Sequence, residues 1–215
     1  MAQTAPKRAS RGENRPGALP CALAIGGLDP GGGAGVLADV RAFAAAGVFG
    51  CAAAACVTVQ STAGLRRVRA LPRRELTEQV LEVIAHQRVR AIKVGALGSV
   101  ENVRAVGRIL ARFDAIPSVV DTPMRPTRSA RGTARLLAHK AVEALREELL
   151  PRATLVTVNA EEAGVLLGKR VASVADARDA AEALVRGGAR AVLVKGGHLT
   201  GASATDVLAV GREVV

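Results

Sequence analysis

The chain has 215 residues, of which 49% are apolar, and a formal net charge of +11. Its only aromatic residues are three phenylalanines, so the core must be aliphatic, and the base-stacking platforms that single-strand nucleic-acid binders place between their basic residues are missing. Lys and Arg are spread along the sequence rather than gathered in one stripe, which argues against specific nucleic-acid binding and leaves a positive surface suited to a polyanionic small molecule.

Residues 1–20 combine Lys7, Arg8, Arg11 and Arg15 with small polar residues and prolines. They predict a disordered basic tail with no secretory h-region. No run approaches the roughly 18 apolar residues of a spanning helix, so no membrane contact is expected and the protein reads as cytoplasmic. Residues 21–215 fit a single domain. Cys21, Cys51 and Cys56 lie in apolar stretches and read as reduced, buried thiols. They form no metal-ligand spacing with His86, His139 or His198.

Residues 22–25 predict a strand. The turn Gly26-Gly27-Leu28-Asp29-Pro30-Gly31-Gly32-Gly33-Ala34-Gly35 follows, and residues 36–43 place apolar side chains at helical spacing. Glycines without Cβ let backbone N–H groups approach a small polar ligand, and Asp29 offers that ligand an acceptor. The turn matches neither G-x-G-x-x-G nor a Walker A loop. The apolar run 51–59 predicts a strand buried on both faces, ending in Gln60, Ser61 and Thr62.

A basic strand is expected over 65–71, a helix over 73–87 opened by Pro72, and a strand over 91–94 running into Gly95-Ala96-Leu97-Gly98. Ser99 then caps a helix. Residues 116–120 form a strand closing on Asp121, and 122–133 an Arg- and Pro-rich loop. A helix over 136–150 is stopped by Pro151. Residues 154–158 form a strand ending in Asn159, after which Glu161 and Glu162 begin a helix to Leu167. A helix over 175–186 ends at Gly187-Gly188, and strand 191–194 runs into Lys195-Gly196-Gly197-His198. Residues 206–210, a tight turn at Gly211-Arg212 and residues 213–215 read as a strand and the start of its partner.

Strands alternating with helices predict an α/β fold with a mostly parallel sheet covered on both faces. Ligands of such sheets bind beyond the carboxyl ends of the strands, which singles out Gly27, Asp29, Gln60, Gly95, Asp121, Asn159 and Lys195. Asp121 and Glu162 suit Mg²⁺, and Lys195 suits phosphate charge. The set fits phosphoryl transfer, where the protein mainly positions and stabilises charge, and no G-x-S-x-G elbow speaks for acyl transfer. Structural roles stay open for the same residues: Asn159 as a helix cap, Glu161 and Glu162 as partners of the helix dipole, Lys195 as a solvated strand end, Gln60 as a partner for backbone, and His198 as a loop residue.

The segments Gly27-Leu28-Asp29-Pro30-Gly31-Gly32-Gly33-Ala34-Gly35, Val57-Thr58-Val59-Gln60-Ser61-Thr62, Lys93-Val94-Gly95-Ala96-Leu97-Gly98-Ser99, Val119-Val120-Asp121-Thr122-Pro123-Met124, Thr157-Val158-Asn159-Ala160-Glu161-Glu162 and Val192-Leu193-Val194-Lys195-Gly196-Gly197-His198 occur in that order. In this series the chain resembles the hydroxymethylpyrimidine/phosphomethylpyrimidine kinases of thiamine biosynthesis. The resemblance implies a ribokinase-like three-layer α/β/α fold that uses ATP and Mg²⁺ to phosphorylate 4-amino-5-hydroxymethyl-2-methylpyrimidine and then its monophosphate. By similarity, Gly27, Asp29 and Gln60 bind the pyrimidine, and Asn159, Glu162 and Lys195 serve ATP and Mg²⁺. Asp121 would lie near the transfer centre, as a candidate catalytic group and, with Glu162, a metal ligand. A small-molecule substrate is the expected partner, with a homodimer as the candidate assembly.

The chain departs from the family pattern at Leu28, Gly31 and Ala96, the last implying a wider pyrimidine pocket. It ends at Val215, before the family's glycine-rich Gly-Thr-Gly segment with its Cys or Asp. The resemblance therefore implies an incomplete kinase domain lacking the C-terminal helices, with the catalytic residue of that segment absent. It also frames the alternative of an impaired or non-catalytic pyrimidine-binding homologue.

Overall fold

The computed structural model describes residues 19–121, 123–124, 140–197 and 204–215. Among the described residues, nine strands form one sheet in the order β3-β2-β1-β4-β5-β6-β7-β8-β9. They are β1 (Cys21–Leu28), β2 (Phe49–Ser61), β3 (Gly64–Ala70), β4 (Val89–Val94), β5 (Ser118–Asp121), β6 (Leu155–Asn159), β7 (Ala191–Lys195), β8 (Val207–Val210) and β9 (Glu213–Val214). The run from β2 through β7 is parallel; β3 and β8 are antiparallel to their inner neighbours. The expected parallel α/β sheet is thus present.

The helices of the described residues are α1 (Gly35–Ala45), α2 (Arg73–His86), α3 (Val100–Arg112), α5 (Ala160–Leu167) and α6 (Val174–Arg186), with a short α4 (Ala141–Ala144) before β6. α4 continues as a π-type segment (Leu145–Leu149) and a 3₁₀ turn (Leu150–Arg152). Pro151 therefore sits inside the last turn, one residue before the helical path ends. α3 shows why these segments are helical. Val103, Val106, Ile109 and Leu110 recur at spacings of three and four and are at most 4% exposed, each contributing about 1.5–3 kcal/mol by burial. Gly107 on the same face lies against the carbonyl of Glu148, and a Cβ there would collide with it.

The crossover β1-α1-β2 runs in the opposite direction along the sheet from β4-α3-β5 and its successors. Because each is right-handed, α1 falls on one face and α3, α4 and α6 on the other. The second face holds the core, into which Ile92, Val94, Val120, Val156, Val158, Val192 and Val194 point. On the α1 face beyond β4, Val119 and Leu208 are 38% and 36% exposed, and the described residues place no helix over them.

Two expectations need correction. Gly26 and Gly27 belong to β1, not to the turn, since both pair with β2. They are glycines because other segments crowd them: a Cβ on Gly26 would stand 3.5 Å from Gly95 Cα, and one on Gly27 3.0 Å from Cys56 Sγ. β2 is not buried on both faces. Ala53, Ala55, Cys56 and Thr58 are buried while Phe49, Val57 and Val59 are exposed; beyond Val57, which pairs with the last residue of β1, the strand continues only as a hairpin with β3. The loop over 122–133, the start of the helix over 136–150, His198 and nearly all of the basic tail lie outside the described residues. No helix among the described residues is long and apolar enough to cross a membrane.

Candidate active site at the carboxyl rim of the sheet

β1 delivers Asp29 to the rim, where it is only 5% exposed. Its Oδ1 accepts the Gly31 N–H at 2.9 Å and its Oδ2 the Ala34 N–H at 3.0 Å. The carboxylate thus orders the glycine turn from within, and Gly32 N–H closes the turn on the Asp29 carbonyl. Gly35, at φ +60°, starts α1 with no room for a Cβ against the Gly27 carbonyl. The Thr58 hydroxyl donates to the Leu28 carbonyl at 2.9 Å, and Gly31 lies against the Cα of Ser61. These contacts bring Gln60, next to Ser61, to the same end of the site as Asp29.

The second group gathers at the ends of β5, β6 and β7. Asp121 pairs with Thr157, and Asn159 with Lys195. Lys195 Nζ lies 2.9 Å from Asp121 Oδ1, and the Thr157 hydroxyl donates to the same oxygen at 3.0 Å. Asn159 caps α5 in a reciprocal capping box: its Oδ1 accepts the Glu162 N–H at 2.8 Å, and Glu162 Oε2 accepts the Asn159 N–H at 2.9 Å. Glu162 is 7% exposed. Burial pushes its carboxyl above the usual range and the charge of Asp121 adds to this, while the backbone N–H groups of Asn159 and Met124 and the Lys195 ammonium oppose it.

The two groups share one rim because β2, β1, β4, β5, β6 and β7 are all parallel. Strands about 4.8 Å apart put Asp29 on the order of 10 Å from Asp121 along that rim, and Gln60 on the order of 24 Å from Lys195. Gly95 stands between them at the end of β4, its N–H donating to the Ile25 carbonyl. Two further residues at this rim, Thr157 and Lys93, carry no motif of their own. Thr157 lies two residues before Asn159, so the period of two along a strand puts it on the same face. Lys93, below Gly95, pairs with Asp39 of α1 at 3.0 Å, a contact across 54 residues with no local signal. A wider groove of about 300 Å³ is lined by Arg146, Leu150, Pro151, Leu167 and Leu184. It lies at the opposite ends of β6 and β7 and holds none of the candidate residues.

A family model described as phosphomethylpyrimidine kinase matches residues 29–215. The chain belongs to this kinase family. It is 40% identical over 195 residues to the hydroxymethylpyrimidine/phosphomethylpyrimidine kinase of Rhizobium meliloti, covering 90% of this chain and 71% of that one. The Bacillus subtilis protein of the same name is 38% identical over 177 residues, covering 82% and 64%. The chain thus spans about two thirds of the length of these relatives. Among solved structures, phosphomethylpyrimidine kinase from Clostridium difficile superposes with a TM-score of 0.80 at 32% identity, covering 91% of this chain and 83% of that one. An ADP complex of Bacillus subtilis pyridoxal kinase gives 0.81 at 28% identity, covering 92% and 74%. The fold is ribokinase-like, as the resemblance implied.

Proposed function

We propose that this family member transfers the γ-phosphoryl of ATP to the hydroxymethyl group of 4-amino-5-hydroxymethyl-2-methylpyrimidine and then phosphorylates the resulting monophosphate. The observation that carries the reading is the single rim shared by the Gly27, Asp29 and Gln60 end and the Asp121, Asn159, Glu162 and Lys195 end. In this arrangement the alcohol occupies the first end and the triphosphate the second. The Gln60 amide can both donate to and accept from a pyrimidine edge. Lys195 supplies positive charge to phosphate oxygens, and Asp121, with Thr157, fixes the direction of its ammonium.

The donors at the second end fit Mg²⁺. Two carboxylates, Asp121 and Glu162, stand at this end, and the charge of Asp121 adds to the upward push on the Glu162 carboxyl, a cost that a divalent cation relieves. No cluster of three His, Cys, Asp or Glu side chains forms a cage among the described residues, which agrees with the habit of Mg²⁺ to complete its shell with water and phosphate oxygens. When bound, the ion would neutralise charge on the transferring phosphoryl group.

An ADP-release assay with the hydroxymethylpyrimidine, its monophosphate and pyridoxal tests the reading. Turnover of the first two that is lost in Gln60→Ala supports it. Binding without turnover would make the chain a pyrimidine-binding homologue, and turnover of pyridoxal alone would favour the activity named for the pyridoxal kinases of similar fold.

A further inference from the structure

The Asn102 side chain is completely buried at the start of α3. Its Nδ2 lies 3.0 Å from the Ala55 carbonyl, 3.1 Å from the Leu71 carbonyl and 3.0 Å from the Leu97 carbonyl. Three acceptors around one nitrogen fix the orientation of the amide, since the exchanged form would set oxygen against three carbonyl oxygens. The remaining atom, Oδ1, has no partner among the described residues, a costly arrangement for a buried acceptor.

The three carbonyls belong to the parts that build the pyrimidine end. Ala55 lies in β2, five residues before Gln60. Leu71 follows β3 and closes the base of the hairpin through its N–H to the same Ala55 carbonyl. Leu97 belongs to the rim loop after β4, whose Ala96 abuts Gly27 and receives the Cys56 thiol on its carbonyl.

We propose that Asn102 is a positioning residue whose amide fixes the spacing between the β2–β3 hairpin, carrying Gln60, and the Gly95–Gly98 loop, packed on Gly27, and so sets the fit of the heteroaromatic alcohol. The proposal rests on the function proposed above. Asn102 touches neither substrate, and its effect is confined to one end of the rim.

The test compares wild type with Asn102→Leu, which keeps the branched shape at Cγ without the amide, and with Asn102→Ala. Steady-state kinetics for both substrates are read beside amide hydrogen exchange. The expected result for Asn102→Leu is a KM for the pyrimidine alcohol raised about tenfold, an unchanged KM for ATP, and faster exchange confined to residues 62–71 and 95–98. An unchanged KM for the alcohol in a folded Asn102→Leu protein overturns the proposal. So does an equal rise in both KM values with exchange accelerated throughout, the mark of a merely structural residue. Should wild type turn over no pyrimidine, the proposed function fails. The exchange arm then decides this inference alone: acceleration limited to the hairpin and rim loop supports the tie, and unchanged exchange overturns it.

Discussion

The Lys195 ammonium reaches across β6 to lie 2.9 Å from Oδ1 of Asp121, a residue 74 positions earlier in the chain. The two side chains are 41% and 33% exposed, so the pair contributes only about 0–1 kcal/mol to stability. What it fixes is the position of a positive charge over the carboxyl ends of β5 and β6.

Lys195→Met should therefore leave the melting temperature nearly unchanged while lowering kcat/KM by about two to three orders of magnitude, the usual cost of losing a preorganised charge-stabilising donor. Thr157→Val, which removes the second donor to Asp121, should cost less, about tenfold. Kinetics with ATP varied, run beside thermal melts, check both. A fully active Lys195→Met protein would return Lys195 to the status of a solvated strand end.

Asp29 accepts hydrogen bonds from Gly31 and Ala34 inside its own turn, so Asp29→Ala should destabilise the protein by about 2 kcal/mol as well as weaken pyrimidine binding. Urea unfolding followed by calorimetric titration separates the two effects. Loss of binding with full stability would mean that the carboxylate serves the ligand and not the turn.

Glu162 titrates above its ordinary value of 4.5 in the folded protein, chiefly through burial. A carboxyl with a raised folded pKa binds its proton more tightly in the native state. Its stabilising contribution is complete below about pH 4.5 and is lost as pH rises through the folded value. Glu162→Gln keeps an acceptor for the Asn159 N–H and removes the ionisation. Its stability relative to wild type should accordingly improve from pH 4 to pH 7, while Mg²⁺-dependent turnover falls. A pH series of unfolding midpoints that runs parallel in the two proteins would contradict this.

Burial raises the Cys21 thiol to about 12, with the neighbouring Cys51 adding to the shift, and raises Cys56 to about 11. Neither forms thiolate at neutral pH, whereas Cys51 is only partly buried. A disulfide reagent should label one thiol quickly in the native protein and three in denaturant. Fast labelling of all three would show that β1 and β2 separate readily.

Much of the site was legible because it is local. Asn159 reads as a helix cap with Glu161 and Glu162 in the first turn, and the structure has that cap, with Glu162 closing it reciprocally. Ser99 was legible as the cap of α3, and its hydroxyl accepts the Asn102 N–H. The same local view could not show that Asn102 turns its amide toward β2 and the rim loop, or that Lys93 meets Asp39. Nor does it distinguish the two faces of β2, whose apolar run looks alike whether or not a helix lies over each face.

The order of the residues by itself determined the alternation of strands and helices, the glycine turn around Asp29, and the caps at Ser99 and Asn159. Each of these depends on periodicity or on contacts within a few residues. Only the tertiary structure decided that β5, β6 and β7 lie side by side, and so that Asp121, Thr157 and Lys195 meet. Strand order and the face taken by each helix follow from the handedness of crossovers and the burial of one shared core, which no short stretch of sequence contains.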